Sequence, residues 1–276
     1  MDIKADALSL LMLRMVFSLP FYLIAAFWIS GQKDNVKLTQ KEWVQVVFLG
    51  LFGYYLSSLL DFIGLQYISA GLERLILFLY PSFVVLMNRF FFQQQLSKTQ
   101  KWALGLTYAG IGIAYIGEIN EDLSNPHFYW GSFLIFLCAI TYATYVAGSG
   151  KMIPKVGASK FTAYAMLSST AGVFIHFAIQ NNFEPHLSTF TDNWLYGLVL
   201  AIVATVIPTF MLAAGVKRIG SNNVAIVSSI GPVSTILQAH FVLGDRIFPA
   251  QIVGTVLVII GVVLIGWKSG GSVSKI

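Results

Sequence analysis

Apolar residues come along this chain in nine blocks. They cover 7–30, 44–66, 71–91, 100–118, 128–148, 161–180, 194–216, 222–243 and 250–267. A helix that crosses the hydrocarbon core needs about 20 mostly apolar residues, and each block is near that length. The polar stretches between them are short, and the longest, 31–43 and 181–193, leave no room for a soluble domain. The pattern predicts an all-α, polytopic integral membrane protein with nine transmembrane helices. The first block is too long for a signal-peptide core, lacks an A-x-A cleavage pattern and is interrupted by Arg14, so it reads as a retained span.

The connections alternate in charge. Lys33, Lys37 and Lys41 follow the first block, then Arg89, Lys98 and Lys101, then Lys151, Lys155 and Lys160, then Lys217 and Arg218, with Lys268 and Lys275 in the tail. The opposite connections carry Glu121, Asp122, Glu184 and Asp192, and only Arg246, beside Asp245, departs from the rule. Cytoplasmic loops carry the excess of Lys and Arg. The bias therefore puts Ile276 in the cytoplasm and Met1 outside.

Composition agrees: 57% of the 276 residues are apolar and 11% charged, against about 25% charged in soluble domains. Trp28, Trp43, Trp130, Trp194 and Trp267 stand near block ends, as headgroup anchors do. The net charge of +5 is spread over short loops, which argues against nucleic acid as a partner. The single cysteine, Cys138, permits no intrachain disulfide and reads as a small core residue.

The chain also repeats itself. At an offset of 151, Trp43 meets Trp194, Gly64 meets Gly215, Ile68 meets Ile219 and Pro81 meets Pro232. At 149, Gly105 meets Gly254, Gly112 meets Gly261 and Gly117 meets Gly266. The repeats would occupy 1–120 and 121–276. Block 128–148 has no partner in the first half; its counterpart would precede Met1. A complete unit would then have five spans, and an odd-numbered unit places its copies inverted in the membrane. The expectation is two inverted five-helix repeats, the first lacking its first helix through truncation, a misplaced start or divergence. Secondary transporters use this construction, with substrate near the midplane.

The residues here resemble the drug/metabolite transporter superfamily, specifically its EamA-type ten-helix members. The run Gly215, Asn222, Gly231-Pro232, Gly244-Asp245-Arg246, Gln251, Gly254 and Gly261 carries the resemblance best, and Ala70, Pro81, Gln100, Gly105 and Gly112 echo it. The stretch from Leu10 to Ser18 with Arg14 resembles the family's second helix. The resemblance implies transport of a small organic solute, with export of amino acids or related metabolites as the first expectation, in a bacterial inner membrane. Departures are Gln93-Gln94-Gln95, where an acid is usual, and the charged pair Glu73-Arg74.

Candidate site residues follow from the cost of charge inside a membrane, about 2.5–3.5 kcal/mol per ionisable group at a helix centre. Arg14 lies about 7 residues, or ~10 Å, into its span. It reads either as a substrate or gate contact, or as a structural counterion for Asp61 or a nearby carbonyl. Asp61 is a proton carrier or amine ligand, or else a packing salt bridge. Glu73 and Arg74 begin the next span; adjacent helical residues point about 100° apart and need not pair. Tyr80 offers a hydroxyl or ring face to substrate. The topology places Arg14, Asp61, Glu73 and Arg74 in the outer half of the bilayer, as a gate or the polar end of a site. Pro81 and Pro232 are hinge candidates, with Pro20 and Pro208 also inside spans. His176 and His240 read first as hydrogen-bonded packing residues, and no His pair has metal-ligand spacing. Gly105/Gly112 and Gly254/Gly261 each share a helix face, open to packing within the chain or in a homodimer.

No G-x-x-x-x-G-K-[ST], H-E-x-x-H or G-x-S-x-G motif is present. An enzyme is not expected, nor is a cofactor. The reading is a secondary transporter working by alternating access, with protons as a coupling ion through Asp61 or Glu73. A non-transporting receptor or accessory subunit is the rival, and inverted symmetry argues against it.

Overall fold

The computed structural model describes residues 7–32, 36–115, 126–180, 187–238, 241 and 249–270. Every regular element among them is helical. Helix α1 is Ala7–Ser30, α2 Gln40–Gly50, α3 Ser57–Gly64, α4 Ala70–Leu77, α5 Tyr80–Phe92 and α6 Lys98–Tyr115. In the second half, α7 is Phe128–Val156, α8 Ala158–Gln180, α9 Leu187–Ala201, α10 Ile207–Val227, α11 Gly231–Gln238 and α12 Pro249–Gly270. Two π-helical segments, Leu51–Leu56 and Ile202–Val206, join α2 to α3 and α9 to α10.

Six stretches of the described residues are long and apolar enough to cross a membrane: Leu8–Ser30, Gln40–Gly64, Leu72–Phe92, Phe128–Val156, Ala158–Gln180 and Trp194–Ile230. Pro249–Ile265 is a shorter apolar helix. Their outward surfaces are apolar, as Ile24, Phe27, Phe90, Ile179, Met211 and Ile252 show. Trp28, Trp43, Trp130 and Trp194 are all more than a third exposed, while Cys138 is buried at 4%. Met1, Lys33, Glu121, Asp122, Asn181, Glu184, His240, Asp245, Arg246, Lys275 and Ile276 lie outside the described residues, as do the side chains of Asp192, Pro232, Trp267 and Lys268.

Caps start several of these helices. Thr39 and Glu42 form a reciprocal capping box, with Thr39 N–H donating to Glu42 Oε2 at 2.9 Å. Ser97 and Gln100 do the same before α6, at 3.0 and 3.2 Å. Ser69 Oγ accepts from Leu72 N–H at 3.2 Å and caps α4.

The backbone irregularities recur at the sequence offset. The π segments begin at Leu51 and Ile202, which differ by 151. Within them Gly53 matches Ala204, both small. Ser69 stands in extended backbone before α4 (φ −67°, ψ 155°), and its counterpart Gly220 breaks α10 (φ 79°, ψ 161°). The helix is interrupted at Phe78 and Leu79 before Pro81. A 3-10 turn at Ser228–Ile230 precedes Gly231-Pro232.

The chain forms two compact units, each drawing on both halves of the sequence. The first comprises Met1–Ile63 and Thr144–Arg218, the second Gly64–Ala143 and Ile219–Ile276. In the first, α1 lies against α8 and α9, and α2 against α8. Its core holds Leu11, Met15, Tyr22, Met166, Val173 and Val206. Gly53 sits against Tyr145, where an added Cβ would come within 2.5 Å of the Tyr145 Cβ. In the second, α6 lies along α12. Gly110 there meets the Gly254 carbonyl, and Gly261 meets the Ala103 carbonyl, at 2.5 and 2.9 Å from an ideal Cβ.

That contact divides the two glycine pairs. Gly254 and Gly261 do face a helix, but Gly105 and Gly112 have nothing within 4 Å. The packing face of α6 is Ala103, Thr107 and Gly110. Residues 105 and 112 share a face with each other, as their spacing requires, but it is the opposite one.

Candidate functional site

In the first unit the π segment Leu51–Leu56 sets the local geometry. A π turn adds a residue to the helix and leaves carbonyls short of regular partners. Ser57 Oγ covers two of them, donating to Gly53 O at 2.9 Å and Tyr54 O at 3.0 Å. On the next helix over, Ser168 Oγ donates to Val47 O at 3.2 Å. The second π segment is served by Thr205 Oγ1, which donates to Leu200 O at 3.0 Å.

The first π segment carries two tyrosines that point to different partners. Tyr54 packs edge-on against Tyr145, with ring centroids 5.6 Å apart. The hydroxyl of Tyr55 lies 2.8 Å from His176 Nδ1. His176 is thus the hydrogen-bonded residue that the sequence suggested. Deeper in α1, the Tyr22 hydroxyl shares a hydrogen bond of 2.9 Å with Thr209 Oγ1, and Tyr22 is fully buried.

Arg14 sits among these groups. Its Nη2 donates to Ser58 Oγ at 2.9 Å. Its guanidinium lies over the Phe62 ring, 5.3 Å from the centroid. Such a contact is worth about 0.5–2 kcal/mol, too little to offset the whole cost of the charge in a membrane. Asp61 lies one turn beyond Ser58 on α3, with Oδ1 buried, and has an interaction of its own. Among the described residues no carboxylate stands within 4.0 Å of Arg14. The contacts that hold Arg14 among the described residues are a serine and a ring.

In the second unit Glu73 is 1% exposed and Arg74 42%. Arg74 Nε approaches Glu73 Oε2 to 3.1 Å. Neighbours on a helix diverge, but the long Arg side chain folds back, so these two do pair. The N–H is not aimed at the oxygen, which makes this an ion pair by proximity, not an aligned hydrogen bond.

Tyr80 donates to the Ala225 carbonyl at 3.3 Å and packs edge-on against Tyr142 at 5.1 Å. Pro81 occupies the first turn of α5, where its missing N–H costs least. Two further groups went unnoticed in the sequence. Tyr108 on α6 spans the break before α5: its hydroxyl donates to Leu79 O at 3.4 Å and accepts from Ser82 N–H at 3.3 Å. Fully buried Asn88 donates to Ser221 Oγ at 2.9 Å and Asn222 Oδ1 at 2.5 Å, just past the Gly220 break. Gln100 adds a 2.7 Å bond to Asn223. The run Ser221-Asn222-Asn223 after a glycine, opposite a lone Asn in an apolar span, was the available signal.

The profile of the EamA-like transporter family matches residues 2–116 and 129–267, nearly the whole chain. The chain belongs to the EamA-like transporter family. It is 30% identical over 255 residues to the uncharacterized transporter YcbK of Bacillus subtilis, covering 91% of this chain and 80% of that one. An uncharacterized transporter of Archaeoglobus fulgidus is 22% identical, over 95% of this chain and 88% of its own. A WAT1-related protein of Arabidopsis thaliana is 21% identical, over 86% and 67%. A solved crystal structure aligns with a TM-score of 0.76 at 17% identity, over 96% of this chain and 89% of that one, a likeness of fold. This EamA-like chain is accordingly a transporter and an integral membrane protein.

The clasp at Tyr108 yields a direct test. In the EamA-like chain Tyr108→Phe keeps the ring and removes one donor and one acceptor at the break before α5. The expected loss is about 1 kcal/mol of stability, read as a lower unfolding temperature of the purified protein. An unchanged unfolding temperature would show that the hydroxyl does not hold the break.

Proposed function

We propose that this EamA-like chain exports a small organic metabolite, an amino acid or related solute, by alternating access. The recurrence of the same backbone irregularities 151 residues apart supports that reading most. Two π segments, two restarts at Ser69 and Gly220 and two breaks before proline suit a repeat whose copies bend at equivalent points. On this reading nine spans form two inverted repeats, 1–120 and 121–276. Pro81 and Pro232 mark the hinges, and the C-terminus is cytoplasmic. Arg14, Asp61, Glu73, Arg74 and Tyr80 serve substrate binding or gating, and Asp61 or Glu73 carries a coupling proton.

Counterflow in liposomes tests transport. Vesicles holding the purified chain and an unlabelled amino acid are expected to take up the same labelled amino acid transiently, for at least one member of a panel. No counterflow across the panel with folded protein would count against this substrate class. A reporter fused after Ile276 is expected in the cytoplasm and one near Asn181 outside. Both on one side would sink the span count.

A further inference from the structure

We propose that Arg14 anchors a single carboxylate on the transported solute, whose apolar body lies against the surrounding rings. The inference rests on the transporter reading and names the substrate class of that site.

A guanidinium has five N–H donors in a planar fork. Arg14 spends one of them, at Nη2, on Ser58. Its Nε is buried without a hydrogen-bond acceptor. No carboxylate of the described chain lies within 4.0 Å to neutralise it. The residue thus brings its charge and an Nε donor without an acceptor into a span. A carboxylate answers both, since two parallel N–H···O bonds match the fork.

The surroundings define the rest of the solute. Phe62 lies under the guanidinium. The rings of Tyr54, Phe62 and Phe210, only partly buried, gather against the same core. Such walls suit an aliphatic or aromatic body. The charge count sets a limit. The other basic residues described in this unit stand in or beside the Lys-rich connections. A monoanionic carboxylate fits better than a phosphate dianion.

The test uses the purified full-length chain and matched probes: phenylacetate, 3-phenylpropionate and 4-methylpentanoate, each against its amide. At least one acid is expected to raise the unfolding temperature while its amide does not. Arg14→Gln is expected to erase that difference. Arg14→Lys, which keeps the charge without the fork, is expected to weaken the acid's apparent affinity about tenfold. Equal effects of every acid and its amide, or acid selectivity that survives Arg14→Gln, would overturn the proposal. If Arg14→Gln does not fold, unchanged acid affinity in Arg14→Lys overturns it instead. Because unfolding needs no translocation, acid selectivity without counterflow leaves the anchor standing and removes the transport reading. Counterflow without acid selectivity does the reverse.

Discussion

Gly50→Val is expected to yield no folded protein after detergent extraction. Gly50 ends α2 against α8. An ideal Cβ there would lie 2.1 Å from both the Ala165 carbonyl oxygen and Ser168 Oγ. The serine can rotate, but the carbonyl belongs to the backbone of α8. Moving it displaces Ala163, Ala165 and Met166, all fully buried. Overpacking a core by a few methylenes costs about 1–3 kcal/mol, and a backbone overlap of this depth lies at or above the top of that range. A whole domain has only about 5–15 kcal/mol. Gly50→Ala should give a partial loss. Gly105→Ala is the control: nothing lies within 4 Å of its Cβ position, and alanine is the better helix former by about 1 kcal/mol. Monodispersity on size exclusion and the unfolding temperature report the series. Equal behaviour of the Gly50 and Gly105 variants would disprove the close approach.

Arg74→Gln is expected to damage stability more than Glu73→Gln, although both break the same ion pair. Glu73 is 1% exposed and Arg74 42%. Without Glu73, the arginine can extend its head toward water or the interface. Without Arg74, a buried carboxylate loses the cation beside it. Breaking a fully buried pair costs about 3–5 kcal/mol, and the exposure of Arg74 brings this toward the lower figures of surface pairs. Glu73→Gln should instead keep the fold and reduce counterflow more than about tenfold, about 1.4 kcal/mol in the barrier, because the proposed gate loses its charge. The double variant should regain stability over Arg74→Gln. Equal unfolding temperatures for the two single variants would contradict this asymmetry.

Much of the architecture was written in the order of residues along the chain. Blocks of apolar residues longer than a bilayer's core have one stable solution, a helix, since every backbone polar group must bond within its own segment. Every regular element among the described residues is accordingly a helix, and α1 matches its block of 7–30. The shared offset of Gly, Pro and Trp positions is legible in the sequence as well, and the two π segments begin 151 residues apart.

Tertiary structure alone decided the rest. Gly105 and Gly112 could be placed on one face by their spacing, but which face of α6 meets α12 depends on Ala103, Thr107 and Gly110 across the contact. The π turns at Leu51 and Ile202 left no signature in the apolar runs that hold them. Arg14 announced itself by its charge, but its partners did not: Ser58 and Phe62 lie far along the chain on α3. The pairing of Arg74 with Glu73 likewise turned on a side-chain rotamer that helical geometry leaves open. Periodicity and composition are local properties and specify spans, whereas the partner of each buried polar group is set by which helices meet.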